Sequence, residues 1–431
     1  MTDIRECANL ALAGLLAGGA EKASVSVYET ENREFNAENG ELSLLRTMID
    51  KSLGIKAIKD QKMGTISGND LTKEGIEKAV EDCLLAAESS AEDPFQDIGE
   101  KQESEVFRLD CYEPDMDRFF ERVQEFLKDI REEFPKINVM LSVCNHYKNH
   151  NIYKNSNGTQ FEVFEGRYGV MVEFSAQDGD QTTNIDGAGF STTNLDIPFI
   201  EQSDVRRHLQ QAVDQLHLVP VTGKQEGTVI FTPDCAAQIC FSMIGIFCDG
   251  SSILDGTSQW KDKIGEKVVD ESVTIRVDPF DERIVGGHRY TGDGYRTEPV
   301  TIIEKGVLKN HLLNLYQAKK LGRDVVKYGN GYIMEKGTTP LDDLIKGVSY
   351  GLLVGGFSGG QPNASGELSG VAKNSFLIVD GKIQGAVMET MISGNLTEMF
   401  NHVIGLSTET VEDGGTSLPY VAVGGMTISG K

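Results

Sequence analysis

Histidine and glutamate are the residues that would do metallopeptidase chemistry, and their spacing in this sequence does not favour such a site. A zinc peptidase helix usually presents two histidines one turn apart beside a glutamate base, because side chains at i and i+4 share a helix face. Only His146 and His150 have this spacing, and their segment contains no glutamate. On a strand the two rings would lie about 13 Å apart. We expect a solvated loop at this segment, and no metal site.

The seven cysteines offer no metal or redox motif either, because no two of them form a CxxC pair. Cys235, Cys240 and Cys248 lie on or near one predicted helix. Cys235 and Cys240 would point about 140° apart on that helix. Cys240 and Cys248 would lie two turns apart, which is too far for an undistorted disulfide. We predict buried, reduced thiols, as is usual in a cytoplasmic protein.

Other catalytic patterns are also absent from the sequence. It contains no GxSxG nucleophile elbow and no phosphate-binding Walker A loop. The glycine-rich stretches 292–294 and 355–360 do not form a dinucleotide fingerprint, and turns are the expected structure there. The residues alone therefore assign no catalytic residue and no metal ligand.

The elements that would position any site follow from hydrophobic periodicity. Apolar stripes at helical spacing predict five helices, at residues 2–17, 72–88, 116–134, 204–217 and 234–247. A hairpin is predicted over 53–67, and further strands at 137–143, 168–175, 273–277, 300–303, 376–379 and 383–387. Helices dominate the first part and strands the second. This order favours an α+β protein, with an N-terminal mixed α/β region followed by a strand-rich C-terminal domain.

A polar break at Pro220–Lys224 marks the predicted boundary between these two parts. The expected domains are an N-terminal α/β region over 1–219, with a subdivision near 95–110, and a β-rich domain over 220–431. The acidic, polar stretch 88–105 is interpreted as a linker or surface excursion.

Charge and hydropathy limit the partners. Acidic residues number 66 and basic residues 41, which gives a net charge of −25 and opposes non-specific binding to DNA. No apolar run approaches the roughly 18 residues of a membrane span. The apolar stretch 8–20 follows Asp3, Arg5 and Glu6, so it lacks the cationic start of a signal peptide. We therefore predict a cytoplasmic protein with no membrane contact and no direct nucleic-acid binding.

Several segments, in order along nearly the whole chain, resemble the TldD/PmbA metallopeptidase family, also called modulators of DNA gyrase. They are Gly54–Lys56, Leu71–Ala79, Glu92–Phe95, Asn155–Gly158, Pro220–Lys224, Gly306–Lys309, Ala318–Gly322, Ile392–Leu396 and Gly424–Gly430. TldD-like members of this family carry His-Glu-x-x-x-His on a helix and a cysteine ligand near the C-terminus. The matching helix here, Asp234–Phe247, has no histidine and no glutamate, and the matching segment Asp413–Ser417 has no cysteine.

The resemblance is therefore to the PmbA-like, or TldE-like, kind of subunit. It implies a chain without a cofactor of its own, paired with a TldD-like subunit that carries zinc. It also implies a heterodimer that matures or degrades unfolded peptides. Two alternatives remain: a homodimeric peptide-binding or regulatory module, and an active peptidase with an unrecognised site. The sequence offers one candidate peptide contact, the polar loop that holds His288, Arg289, Tyr290 and Asp293, with an exposed turn as the alternative.

Overall fold

The computed structural model describes residues 3–431. Two β-sheets organise the chain, and residues 193–223, which include helix α4, separate their strands. The elements of the first part are α1 (Ile4–Ala17), β1 (Lys22–Glu38), β2 (Glu41–Lys59), β3 (Lys62–Gly68), α2 (Lys73–Ser89), β4 (Glu105–Arg108), α3 (Met116–Glu133), β5 (Ile137–Asn155), β6 (Gln160–Asp178), β7 (Gln181–Thr182), β8 (Asp186–Thr192) and α4 (Val205–Asp214).

The first sheet has the strand order β3-β2-β1-β5-β6-β4, with β8 also paired to β6. Local sequence explains its helices well. The hydroxyl of Thr72 accepts a hydrogen bond from the Gly75 amide, 3.1 Å away, and so caps α2. Ile76 and Val80 of α2 are buried against the sheet in the same core as α1. A second core packs α3 and α4 against the other end of the sheet.

The sequence predicted these helices to within a few residues, although residue 2 of the first predicted helix lies outside the described residues. The expected loop at His146–His150 is wrong. Both histidines lie within the 19-residue strand β5, which pairs along its length with β1 on one side and β6 on the other. Hydrogen bonding on both sides stabilises a polar segment that has no hydrophobic alternation of its own.

The second part is rich in strands. Its elements are β9 (Lys224–Phe231), α5 (Pro233–Phe247), α6 (Gly250–Leu254), β10 (Ile275–Val277), β11 (Val300–Glu304), β12 (Val307–Leu308), α7 (Leu315–Leu321), β13 (Tyr332–Met334), α8 (Leu341–Lys346), β14 (Tyr350–Ser358), β15 (Glu367–Val379), β16 (Lys382–Ala386), β17 (Met391–Asn395), α9 (Leu396–Asn401), β18 (Val403–Glu412) and β19 (Thr416–Ser429). The predicted hairpin turns at 304–306 and 380–382 are present, with positive φ at both inner glycines.

The second sheet closes on itself, since β19 pairs with both β17 and β9 in the order β9-β14-β15-β17-β19. Successive residues of β9 enter different cores: Val229 and Phe231 pack in the core that contains α5, whereas Ile230 packs in the core that contains Leu344 of α8. Such alternation is the period-two pattern of a strand covered on both faces. The result confirms the α+β fold class with a mixed first part and a strand-rich second part.

The predicted domain boundary at 219/220 falls between the last strand of the first sheet and the first strand of the second. Across residues 3–431, no helix combines the length and apolar character that crossing a bilayer requires.

Candidate functional site

Helix α5 is the element on which the family resemblance would place metal-binding side chains. Pro233 occupies its first turn, where proline suits a helix start. Gln238 and Phe241 lie on its exposed face. The ring of Phe241 meets the ring of Tyr332 edge to face, with centroids 4.9 Å apart. Tyr332 pairs with Thr416 of β19, so the exposed face of α5 is linked through Tyr332 to the predicted C-terminal segment 413–417.

The side chains at this face do not fit a zinc ion. Structural and catalytic zinc sites use thiolate, imidazole or carboxylate ligands. After the partly exposed Asp234 in its first turn, the face of α5 offers only the amide of Gln238, the ring of Phe241 and the hydroxyl of Ser242. Cys235 and Cys240 point into the core, and burial raises the pKa of Cys240 to about 12, so its thiol stays protonated. Within residues 3–431, the one group of acidic, histidine or cysteine ligands spaced for a metal is Asp204, His208 and Asp234, of which only Asp234 belongs to α5, in its first turn.

The predicted peptide-contact loop joins the two sheets. The hydroxyl of Tyr290 donates to the Asn151 Oδ1 atom at 2.8 Å, and its ring stacks on the buried ring of Phe161 with centroids 5.4 Å apart. The carbonyl of Asp293 accepts from the Tyr153 hydroxyl at 3.0 Å and from the Gly99 amide at 2.9 Å. The loop is therefore fixed to strands β5 and β6 of the first sheet.

The other side of this loop is open. His288, Tyr290 and Asp293 line a cavity of about 420 Å³, together with Val326 and Tyr328. Arg289 lies away from the cavity lining: its guanidinium donates to the Pro279 carbonyl at 2.8 Å. The structure thus brings three of the four predicted contact residues to one cavity. Their contact with peptide stays a prediction.

A group that the sequence analysis missed lies where α4 meets α5. Nε2 of His208 is 2.9 Å from a carboxylate oxygen of Asp234, at the start of α5. Nδ1 of the same ring is 3.5 Å from Asp186 at the start of β8, and Asp204 lies one turn before His208. Arg207 bonds to both Asp204 and Asp234. We refer to these five residues, Asp186, Asp204, Arg207, His208 and Asp234, as the ionic cluster.

The pKa shifts in the ionic cluster favour the charged forms of His208 and Asp204. Burial disfavours the charged imidazolium, but the three neighbouring aspartate carboxylates raise the pKa of His208 well above its usual value. Although burial opposes ionisation of Asp204, His208 and Arg207 hold the pKa of its carboxyl well below its usual value. The ligand atoms of Asp204, His208 and Asp234 lie within 4.8 Å of one another, a metal-like spacing. The Arg207 guanidinium already occupies that space, and its charge would repel a cation.

Sequence spacing gave a partial signal for this cluster. Asp204 and His208 are an i, i+4 pair on one helix, but Asp186 and Asp234 are 22 residues before and 26 residues after His208. Only the packing of α4 between β8 and α5 brings them together.

The structure defines a two-sheet chain whose helix α5 carries neither histidine nor glutamate. Known proteins agree on the family. The model described as PmbA/TldA metallopeptidase domain 1 matches residues 23–89, and that described as PmbA/TldA metallopeptidase C-terminal domain matches residues 224–430. This chain belongs to the PmbA/TldD metallopeptidase family.

Individual relatives cover almost the whole chain. A metalloprotease of Archaeoglobus fulgidus is 26% identical, with 88% of this chain and 90% of that protein aligned. Metalloprotease PmbA of Escherichia coli O157:H7 is 24% identical over 95% of this chain and 94% of its own length. The crystal structure of TldE from Thermococcus kodakarensis superposes with a TM-score of 0.85 at 22% identity, covering 99% of this chain and all of that one. This likeness shows a shared fold.

Proposed function

We propose that this chain is the non-catalytic, PmbA/TldE-like subunit of a TldD/PmbA-type metallopeptidase that matures or degrades peptides. One observation carries the proposal: the exposed face of α5 presents an amide, a ring and a hydroxyl where the family's active members present histidine and glutamate. The one carboxylate on this face, that of Asp234, is already paired with His208 and Arg207, so no ordinary zinc ligand is left free there.

The partner in this proposal is a TldD-like subunit that carries the zinc. The solved structure of a protein named TldE, with the same fold over nearly the full length, supports a TldD/TldE type of complex. The complex would act in the cytoplasm. Direct DNA contact is not part of the proposal, because the net charge of −25 disfavours a polyanion, whatever the gyrase name implies.

The proposed contribution of this chain is to hold the peptide. The cavity beside His288, Tyr290 and Asp293 is the candidate contact, since it combines polar groups with a wall fixed to both sheets. An unfolded peptide could also add as a strand to an open sheet edge, where backbone hydrogen bonds do not depend on sequence. Hydrogen exchange with and without bound peptide tests this: protection of 288–293 or of C-terminal strands supports it, and unchanged exchange in both contradicts it.

Elemental analysis tests the assignment of the zinc. We expect no zinc in the isolated chain and about one zinc per complex after co-expression with a TldD-like partner. Stoichiometric zinc and peptidase activity in the isolated chain would instead support an active enzyme. A stable homodimer that never captures the partner would support the regulatory alternative.

A further inference from the structure

A second cavity lies next to the one at the predicted loop and shares Val325 and Val326 with its lining. It measures about 670 Å³ and lies between the start of β11 and the chain before and after α7. Basic side chains are prominent in its lining, where Lys309, Arg323 and Lys327 accompany the acidic Glu298 and Asp324. Basic side chains thus outnumber acidic ones here, whereas the chain as a whole has a net charge of −25.

Arg323 is held in place by a buried histidine. An Nη1 group of Arg323 donates to Nδ1 of His311 at 2.9 Å, and Nε2 of His311 lies 3.0 Å from the Trp260 carbonyl. Arginine only donates, so Nδ1 must be the acceptor and Nε2 must carry the proton. The His311 ring is 1% exposed, and burial lowers its pKa, which keeps this neutral tautomer in place. The buried ring thus orients a guanidinium that is otherwise exposed.

The guanidinium of Arg323 has N–H donors that His311 does not use. It has five N–H donors in a planar fork suited to two oxygens of one anion. Within residues 3–431, no carboxylate lies within ion-pair distance of Arg323, although the sequence has 66 acidic residues. Among the described residues, His311 is the one hydrogen-bond partner of the Arg323 side chain, through Nη1.

Lys309 and Lys327 can also contribute positive charge to an anion in the cavity. Lys309 pairs with Glu304 at 2.9 Å, and Lys327 pairs with Glu298 at 3.0 Å, both at the surface. Exposed ion pairs of this kind contribute little free energy, so each ammonium can turn towards an anion in the cavity. Asp324 opposes this, because its carboxylate lies in the same wall and repels a negative ligand.

We propose that this cavity is a binding site for an oxyanion, either a carboxylate or a phosphate, that is bound bidentately by Arg323 with Lys309 and Lys327 at its rim. This site goes beyond the proposed subunit function and does not depend on it. A carboxylate ligand could be the free C-terminus of a peptide, and a phosphate ligand would indicate a phosphorylated metabolite. Both are recognised by the same planar fork.

Calorimetric titration at low ionic strength tests the site with three probes: inorganic phosphate, acetyl-Ala-Ala with a free carboxylate, and the C-terminal amide of the same dipeptide. We expect one of the two anions to saturate a single site with a Kd of about 1 mM, and the amide not to bind. Preference for the dipeptide anion assigns a carboxylate ligand, and preference for phosphate assigns a phosphorylated one.

Variants separate this site from general surface charge. Arg323→Gln should weaken anion binding about tenfold or more, Arg323→Lys should weaken it less, and Asp324→Asn should strengthen it. Arg118→Gln is the matched control, an exposed arginine paired with Glu121 on α3, and should bind like the wild type. Thermal melts check that each variant folds. Equal affinity in Arg323→Gln and wild type, equal binding of the amide, or no saturation by either anion up to about 20 mM would overturn the site.

Discussion

His208 carries a charge inside the protein because three carboxylates surround it, and this makes it the most informative single residue for stability. Its side chain is 11% exposed. Replacing it with glutamine removes one member of a buried charge group and leaves the aspartates without that counter-charge. Removing one partner of a buried ion pair typically costs about 3–5 kcal/mol. Urea unfolding should show a loss of this order in His208→Gln, and almost none in the control His402→Gln, which changes an exposed histidine.

The same residue predicts a pH dependence of definite sign. A histidine whose pKa is raised by folding contributes its full stability below its unfolded pKa of about 6.5 and loses it as pH rises through the folded value. Because the folded pKa of His208 is well above its usual value, the stability gap between wild type and His208→Gln should be largest near pH 6 and shrink towards pH 9. A gap that widens with pH would show that His208 is neutral in the folded protein.

Cys111 differs from the other six cysteines, since those are buried and it is only partly covered. Burial raises the pKa of Cys83 to about 11 and of Cys144 to about 12, so their thiolates are scarce at neutral pH. Burial also raises the pKa of Cys111, but this residue is partly exposed, whereas the other six cysteines are buried. In the native protein we expect a thiol reagent to modify Cys111 first, as mass spectrometry of peptides would show. Cys111→Ser should abolish this first phase, and its persistence would place the reactive thiol elsewhere.

At the scale of elements, the sequence predicted what local pattern determines. Helix α2 followed from its threonine cap and apolar stripe, and the tight hairpin turns from their glycines. Strand β5 was predicted for only part of its length, because its second half is polar and depends on β1 and β6 for hydrogen bonds. The sequence did not predict the ionic cluster either, because its residues are brought together only by tertiary packing. The missing zinc motif on α5 could be found from the sequence, because that motif is a short run of residues on one helix.

Contact between β3 and α2 gives a prediction about an element junction. Gly64 of β3 lies so close to α2 that a Cβ atom there would be 2.1 Å from the Cys83 carbonyl oxygen and 2.6 Å from the Ala87 nitrogen. Gly64→Ala should therefore push the helix from the sheet and cost about 1–3 kcal/mol. Gly68→Ala, on the same strand with open space around it, is the matched control. Equal thermal melting of the two variants would mean that the helix shifts without cost.

At the scale of the whole molecule, the two sheets are joined at several places distant in sequence. The stretch interpreted as a linker, 88–105, takes part: the Tyr316 hydroxyl donates to Asp93 at 2.8 Å, and Asp97 bonds to both Lys22 and Lys319. With the ionic cluster and the 288–293 loop, these contacts fix the position of one sheet against the other. The cavity beside His288, Tyr290 and Asp293 depends on one of these contacts, because the loop that lines it is fixed to the first sheet through Tyr290.

Tyr290 provides the sharpest test of this joining, because its ring and its hydroxyl can be removed separately. Tyr290→Phe keeps the stacking on Phe161 and loses the bond to Asn151, which should cost about 1 kcal/mol. Tyr290→Ala also removes the ring from its place beside the buried Tyr153 and should cost about 3–5 kcal/mol. We expect one cooperative urea transition for the wild type. The midpoint should be at a lower urea concentration for Tyr290→Phe, and lower still for Tyr290→Ala. If both variants unfold at the same urea concentration as the wild type, residues 288–293 are an exposed turn, and other contacts hold the two sheets together.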